Sequence, residues 1–429
     1  MATSSGRIYR LAGQHRHYTQ QPGNQLLTQN ACCQITAGIL RKQLSFKALD
    51  VTSSPNVFPF SEKYSYIYFV ESPGNLNQLL DMDKKFKKAL VIGKFQPLHK
   101  GHLALIDYAK DHAEQVDMLV TANENEEIPL AQRFDWAQET FSEDSCVNVY
   151  GYLYDPETLT ASSESDIQAS KDWADHLMKV HAGMHEVDVI IGSERYVQYM
   201  ADYLGISYMI YDEKRDKLKI SATILKSDVI RYWDYLAPAV KRTYVRHICI
   251  CGSESTGKST TCKRLEENHD FVTMIPEIGR CLVGKSELCS LLALQNIYAI
   301  HHQLLSAVTF DPPTPVIIWD TDSITTISYF KYLYPDLTLN VLKDKCVSSS
   351  KSEVHKADEY YFFVSNIEFK DDGTRFSEDE AKILAGSHLQ TYLDYGISPE
   401  IITASDRYNI VESAILAFID ELKNTFACK

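Results

Sequence analysis

Ala89-Leu90-Val91-Ile92-Gly93-Lys94-Phe95-Gln96-Pro97-Leu98-His99-Lys100-Gly101-His102 reads as a buried strand, a tight loop and the first turn of a helix. Gly93 directly follows the apolar run, where backbone must pass close to a ligand. Pro97 fixes the loop, and Gly101 lets the chain turn into a helix whose N-terminus then faces an anion. His99 and His102 are three residues apart and can address one phosphate, donating hydrogen bonds to oxygens that gain charge in a transition state. Gly93, Lys94, Phe95, His99 and His102 are therefore candidate site residues.

A second loop of different design lies about 150 residues further on. Gly252-Ser253-Glu254-Ser255-Thr256-Gly257-Lys258-Ser259 satisfies G-x-x-x-x-G-K-[ST] in full. It follows the apolar run His247-Ile248-Cys249-Ile250-Cys251 and precedes a helical stretch from Thr260 to Asn268. Its amides would cradle a β-phosphate, with Gly252, Gly257 and Thr260 framing the turn. Lys258 would reach the β- and γ-phosphates of ATP, and the Ser259 hydroxyl would ligate Mg²⁺. Acids are the next requirement. Asp320-Thr321-Asp322 closes the strand Val316 to Trp319, and Asp320 is a candidate for the metal and for the catalytic base. Ile275-Pro276-Glu277-Ile278-Gly279-Arg280 offers Glu277 as the competing base and Arg280 for phosphate, and Asp371-Asp372-Gly373-Thr374-Arg375 offers Arg375. Singly, each acidic pair is more often a solvated loop. All three behind a phosphate loop favour a kinase over a motor or switch GTPase.

Alternation of strands and helices runs from Lys88, breaks near Pro238 and Lys241-Arg242, and restarts at Val245. It predicts an α/β protein with two doubly wound parallel-sheet domains after an irregular N-terminal region. The expected boundaries are 1–87 for a partly disordered N-terminal extension, 88–240 for the first sheet and 241–429 for the second, with a short linker at Pro238. Within the extension a helix is expected over 26–49 and a strand over Tyr64–Val70.

The 429 residues carry a net charge of −14, which argues against a general nucleic-acid binder. No apolar run is long enough for a membrane span. The ten cysteines form no CxxC pair and fall partly inside apolar runs, as reduced thiols of a cytoplasmic protein would. Residues 1–49 hold six Lys or Arg and no Asp or Glu. That pattern suits a loose tail, an organellar transit peptide or a basic arm.

The first loop resembles the nucleotidyltransferase signature GxFxPxHxGH. The family's second signature, Ser-x-Thr-x-Ile-Arg, has its counterpart in Ser221-Ala222-Thr223-Ile224-Leu225-Lys226, which implies nucleotide-binding roles for Ser221, Thr223 and Lys226. Leu225 and Lys226 depart from the pattern, and lysine keeps the charge but loses the planar fork of arginine. Tyr232-Trp233-Asp234-Tyr235, Ile191-Gly192-Ser193-Glu194-Arg195-Tyr196 and Ile128-Pro129-Leu130-Ala131-Gln132-Arg133 also look like the family, whose last two segments lie near the nicotinamide nucleotide.

Joined in this order, and with Pro276 to Arg280, Asp320 to Asp322 and Asp372 to Arg375 in place, the two modules resemble the NadR-type proteins of NAD biosynthesis. The resemblance runs from about residue 88 to the C-terminus. It implies a nucleotidyltransferase (Rossmann-like) domain followed by a P-loop kinase domain. It further implies phosphorylation of ribosylnicotinamide, then adenylylation of nicotinamide mononucleotide to NAD, with ATP as co-substrate and Mg²⁺ as cofactor. The implied partners are these small molecules, and related proteins assemble, which leaves a homo-oligomer open. Residues 1–87 show no trace of the helix-turn-helix that some members carry. Two other readings stay open: an NAD- or ATP-sensing regulator with a weakened transferase site, and a nucleotidyltransferase–kinase pair for another substrate.

Overall fold

The computed structural model describes residues 85–160, 166–181, 183–283, 289–345, 354–364, 377–403 and 405–427. The expected helix at 26–49, the strand at Tyr64–Val70 and the Asp371–Arg375 loop lie outside them.

The opening run forms β1 (Phe86–Gly93), and Lys100–His112 forms α1. There follow β2 (Ala113–Ala122), α2 (Leu130–Phe141), β3 (Val147–Leu153), α3 (Ile167–Val180), β4 (Val189–Gly192), α4 (Tyr196–Leu204) and β5 (Ser207–Ile210). The strands lie in the order β3-β2-β1-β4-β5, every pair parallel. Alternate residues of β1 enter different cores: Ala89 and Val91 pack with α1 and α2, Leu90 and Ile92 with α3 and α4. A sheet covered on both faces needs such an unbroken apolar strand. The chain order reverses beside β1, so a crevice opens at its C-terminal end, where doubly wound sheets bind ligands.

After α5 (Ala222–Ser227), the stretch around Pro238 is not the expected linker. It is a helix, α6 (Pro238–Tyr244), with Pro238 in its first turn, where the missing N–H costs nothing. Lys241 is buried there, its Nζ 2.8 Å from Asp311.

The second sheet comprises β6 (Arg246–Gly252), β7 (Val272–Ile275), β8 (Val316–Asp320), β9 (Glu359–Phe363) and β10 (Glu400–Ile402) in the order β10-β9-β6-β8-β7, again all parallel. Its helices are α7 (Lys258–Asn268), α8 (Ile278–Leu282), α9 (Leu291–Phe310), α10 (Ser323–Leu333), α11 (Leu339–Leu342), α12 (Glu378–Asp394) and α13 (Arg407–Phe426). Both sheets belong to one compact unit. The last helix joins them: Val411, Ile415 and Ile419 pack in the second core, Leu422 and Phe426 in the first. Cys249, Cys251 and Cys262 are free and buried, as expected, whereas Cys281 is disulfide-bonded. Among the described residues no helix is long and apolar enough to cross a membrane.

Candidate functional site

Two sites form, one at the C-terminal end of each central strand. In the first, Phe95 takes a left-handed backbone (φ 47°) and buries its ring 4.9 Å from that of His102. His99 caps α1, its Nδ1 accepting from the Gly101 amide at 3.1 Å. That bond places the proton of a neutral His99 on Nε2, which is left as the donor. The His99 and His102 rings stack with centroids 3.7 Å apart. A side chain at Gly101 would meet the His99 ring at 2.9 Å, so glycine is required there for packing. Burial, then the positive charge of Arg215, pushes His99 down to about 4. Burial, then His99 and Arg215, holds His102 well below the usual range. Both imidazoles are therefore neutral donors at pH 7. Nδ1 of His102 is buried with no protein hydrogen-bond partner.

The cations around this pair are mostly tied to carboxylates. Lys94 lies 3.1 Å from Glu126 and Lys226 lies 2.7 Å from Glu127. Arg133, wholly buried, pairs with Glu126 at 2.7 Å and donates to the carbonyls of Ile128, Lys94 and Thr121, pinning the loops after β1 and β2 together. Ser221 caps α5 by accepting from the Ile224 amide at 3.2 Å, and Thr223 is exposed in the first turn of that helix. Tyr196 and Trp233 serve packing: Tyr196 donates to the Ile92 carbonyl at 2.7 Å, and Trp233 Nε1 donates to the Pro312 carbonyl at 2.9 Å. Gly93 ends β1 against the Phe95 ring.

In the second site Gly252 has φ 122°, and a Cβ there would lie 2.2 Å from the Phe363 carbonyl oxygen, so only glycine fits. Gly257 (φ 83°) turns the loop into α7. Lys258 Nζ donates to the Ser253 carbonyl at 2.8 Å, which leaves further ammonium protons for phosphate. Ser255 to Thr260 and Arg280 line one cavity, which brings Lys258, Ser259, Thr260 and Arg280 together. Asp320 is buried at the end of β8, hydrogen-bonded to Ser259, with Oδ1 lacking a protein partner. Burial, then the charge of Glu277, pushes its carboxyl up to about 6. Glu277 pairs with Arg280 at 2.5 Å. Ser255 (φ 58°) and Thr321 (φ 68°) share with Phe95 a left-handed backbone rare outside glycine, so each of these candidate ligand loops carries a strained residue.

A buried, unpartnered carboxylate oxygen beside a serine hydroxyl suits a Mg²⁺ ion, which takes one or two protein oxygens and completes its shell with water and phosphate. Among the described residues no cluster of three or more His, Cys, Asp or Glu side chains could hold a metal unaided.

Several participants were invisible in the sequence. Tyr329 donates to Glu254 Oε1 at 3.0 Å, and its phenol feels the charges of Glu254, Glu277 and Arg280. His388 of α12 packs edge-on to Tyr329 at 4.8 Å, and burial followed by the charge of Lys258 pushes it down to about 3. Arg407 donates to the carbonyls of Thr256 and Val364, clamping the phosphate loop from behind. Tyr329 and His388 sit within helical runs that read as core, so only the tertiary fold reveals them. Asp322 caps α10 instead of entering the site, accepting from Thr325 N at 3.0 Å and from the Tyr392 hydroxyl at 2.7 Å. Arg375 lies outside the described residues.

Comparison with known proteins agrees with this division. Residues 90–228 match the cytidylyltransferase-like family and residues 247–407 an AAA domain family. The trifunctional NAD biosynthesis/regulator protein NadR of Escherichia coli K12 is 27% identical over 261 residues, covering 56% of this chain and 62% of that protein. Its Salmonella typhimurium counterpart is 24% identical over 260 residues with the same coverage. The chain thus spans 62% of the length of the curated relatives it matches. A crystal structure of a NadR protein in complex with NR aligns with TM-score 0.44 and 18% identity, over 80% of this chain and 97% of that one. The chain is a distant homologue of the NadR-type proteins, with a cytidylyltransferase-like domain followed by an AAA-type P-loop domain.

Proposed function

We propose that the chain makes a dinucleotide in two steps: the second site phosphorylates ribosylnicotinamide with ATP, and the first adenylylates the resulting mononucleotide to NAD, releasing pyrophosphate. The observation that carries this reading is the presence, in one compact unit, of a neutral histidine pair and a lysine phosphate loop, each at the C-terminal end of a central parallel strand. Gly252 to Thr260 hold the ATP phosphates and Lys258 meets charge at the β- and γ-positions. Ser259 and Asp320 would hold Mg²⁺, which would supply charge neutralisation for those phosphates. Asp320, pushed up to about 6 and with Oδ1 free of protein partners, accepts the proton of the 5′-hydroxyl, whereas Glu277 is engaged by Arg280 at 2.5 Å. Arg280 neutralises phosphate from the rim of the cavity.

At the first site His99 and His102 donate to α-phosphate oxygens as a phosphate oxygen of the mononucleotide attacks. Neither imidazole has to gain or lose a proton. Positioning and charge complementarity account for the chemistry in both halves. The test is ATP and Mg²⁺ with ribosylnicotinamide, products separated by chromatography. Mononucleotide followed by NAD is the expected sequence, and formation of neither product sinks the reading.

A further inference from the structure

The resemblance assigns an arginine to position 226, where this chain has lysine, and the structure shows Lys226 engaged with Glu127 at 2.7 Å. We propose that Arg215, on the loop after β5, supplies the missing guanidinium and receives the pyrophosphate that leaves the first site. This rests on the reading of that site as an adenylyltransferase and names a residue for it.

The loop that carries Arg215 is firmly tied beside the histidine motif. Asp212 and Arg215 both take left-handed backbone, with φ 50° and 54°. The Arg215 amide donates to the Asp212 carbonyl at 2.8 Å, and the Asp212 carboxylate collects the amides of Asp216, Lys217 and Leu218 at 2.8–3.2 Å. One end of the loop is tied by the Tyr211 amide to the Gly192 carbonyl at 2.8 Å. At the other, the Ile220 side chain lies 3.4 Å from where a Cβ would stand on Gly101, inside the histidine motif. Arg215 thus stands in a fixed turn near His99 and His102, and its charge contributes to the lowered basicity of both.

Its commitments elsewhere are weak. Among the described residues its ion-pair contact is with Glu194 at 3.7 Å, against 2.9 Å for Arg195 with Glu213 and 2.7 Å for Arg133 with Glu126. Its side chain is 46% exposed, so a ligand can draw it without breaking a buried pair. The chemistry calls for such a group. A phosphate oxygen of the mononucleotide forms a bond to the α-phosphorus, the bond to the α,β-bridging oxygen breaks, and its electron pair leaves on pyrophosphate. A planar guanidinium can meet that growing charge through two parallel N–H donors, which an ammonium cannot.

The test uses the full chain in a Lys258→Ala background, which silences the second phosphate loop, with inorganic pyrophosphate as the calorimetric probe. Arg215→Ala should weaken pyrophosphate binding at least about tenfold, the loss of one charge-assisted contact. Arg215→Lys should fall between, and Lys226→Ala should change affinity less than threefold. With position 258 restored, Arg215→Ala should also cut the kcat of adenylyl transfer while leaving the KM for mononucleotide and the phosphorylation of ribosylnicotinamide unchanged. Unaltered pyrophosphate affinity in Arg215→Ala overturns the proposal. So does a tenfold loss in Lys226→Ala alone, or an equal fall in both activities with a lowered melting point. A chain that binds pyrophosphate through Arg215 yet makes no dinucleotide supports the assignment of this residue and fails the adenylyltransferase reading instead.

Discussion

The two candidate sites are built by opposite means. The first presents neutral imidazoles, pushed down by burial, and keeps Lys94, Arg133 and Lys226 paired to Glu126 and Glu127. The second presents a buried lysine and a buried carboxylate pushed up to about 6, the carboxylate hydrogen-bonded to the Ser259 hydroxyl. An α-phosphoryl transfer between two phosphates needs donors and no base, because the nucleophile is already an anion. A transfer to a hydroxyl needs a proton acceptor and a place for a cation. Under the proposed function, a parallel sheet fixes where a phosphate sits, and the loop after its central strand fixes which phosphorus reacts.

The sharpest way to break this comparison is Lys258→Ala. Phosphorylation of ribosylnicotinamide should fall below detection while adenylyl transfer with supplied mononucleotide continues. Separate rates with the two substrates decide it, and normal phosphorylation in the variant removes the kinase assignment from this half of the chain.

Asp320→Asn probes the buried carboxylate twice. Its phosphorylation rate should drop by about 10²–10⁴, the usual worth of a general base. Its stability without nucleotide should move the other way. A carboxyl raised from its ordinary range to about 6 favours the folded state when protonated, a contribution present below the unfolded value and lost as pH rises through about 6. At pH 7 the asparagine protein should therefore melt higher than the parent, an advantage that fades by pH 4. The buried histidines carry the opposite sign. His99 and His247 at about 4, and His301 and His388 at about 3, fold as neutral rings, so their contribution is full above about 6.5 and drains away as pH falls towards those values. Calorimetric scans from pH 7.5 to 4 read both effects, and an asparagine protein that melts lower at pH 7 contradicts the buried-charge account.

His102→Ala should reduce adenylyl transfer by about 10²–10³, as for one lost transition-state donor, and leave phosphorylation intact. An equal fall in both rates in a folded variant would tie the two sites together and end the two-site description.

Phe426→Ala tests how separate the halves are. Phe426 belongs to the helix of the second sheet yet is buried in the first core, 4.8 Å from the Tyr244 ring. The lost burial should cost about 3–5 kcal/mol. Both activities should then be lost in a single thermal transition at a lowered temperature. Two resolved transitions would mean the sheets melt independently despite the shared core.

The parts of the molecule that follow local rules were legible from sequence. Both strand–loop–helix units fall where the apolar runs and glycines put them, and Asp320 lies beside Ser259 as the pairing of a strand-end acid with a phosphate loop requires. Residues whose role depends on distant partners were not legible. Pro238 reads as a breaker, but at a helix start it is neutral, so the expected linker is α6. Arg215 carries no motif, and only the fold brings its loop to the histidine site, where its charge acts on both rings. Arg133 reads as part of a ligand-facing segment and proves to be a buried staple of backbone carbonyls. Asp322 looks equivalent to Asp320, but the α10 N-terminus claims it.

The smallest effect is expected at Lys226, where the resemblance alone would forecast the largest gain. Arginine there restores the family's residue, and a forked donor at the phosphates should speed transfer. The structure argues otherwise. The Lys226 side chain is 12% exposed and its Nζ is held 2.7 Å from Glu127, so an arginine would meet the same carboxylate and form the same pair. If Arg215 supplies the guanidinium, as proposed above, the fork at 226 is redundant. Lys226→Arg should preserve or raise adenylyl transfer, by no more than threefold. The Arg215→Ala, Lys226→Arg double variant separates the explanations. If position 226 can take over, the second change should recover part of the rate lost with Arg215. If Glu127 keeps hold of whatever cation stands there, the double variant should be as slow as Arg215→Ala alone, and that is the outcome the 2.7 Å pair favours.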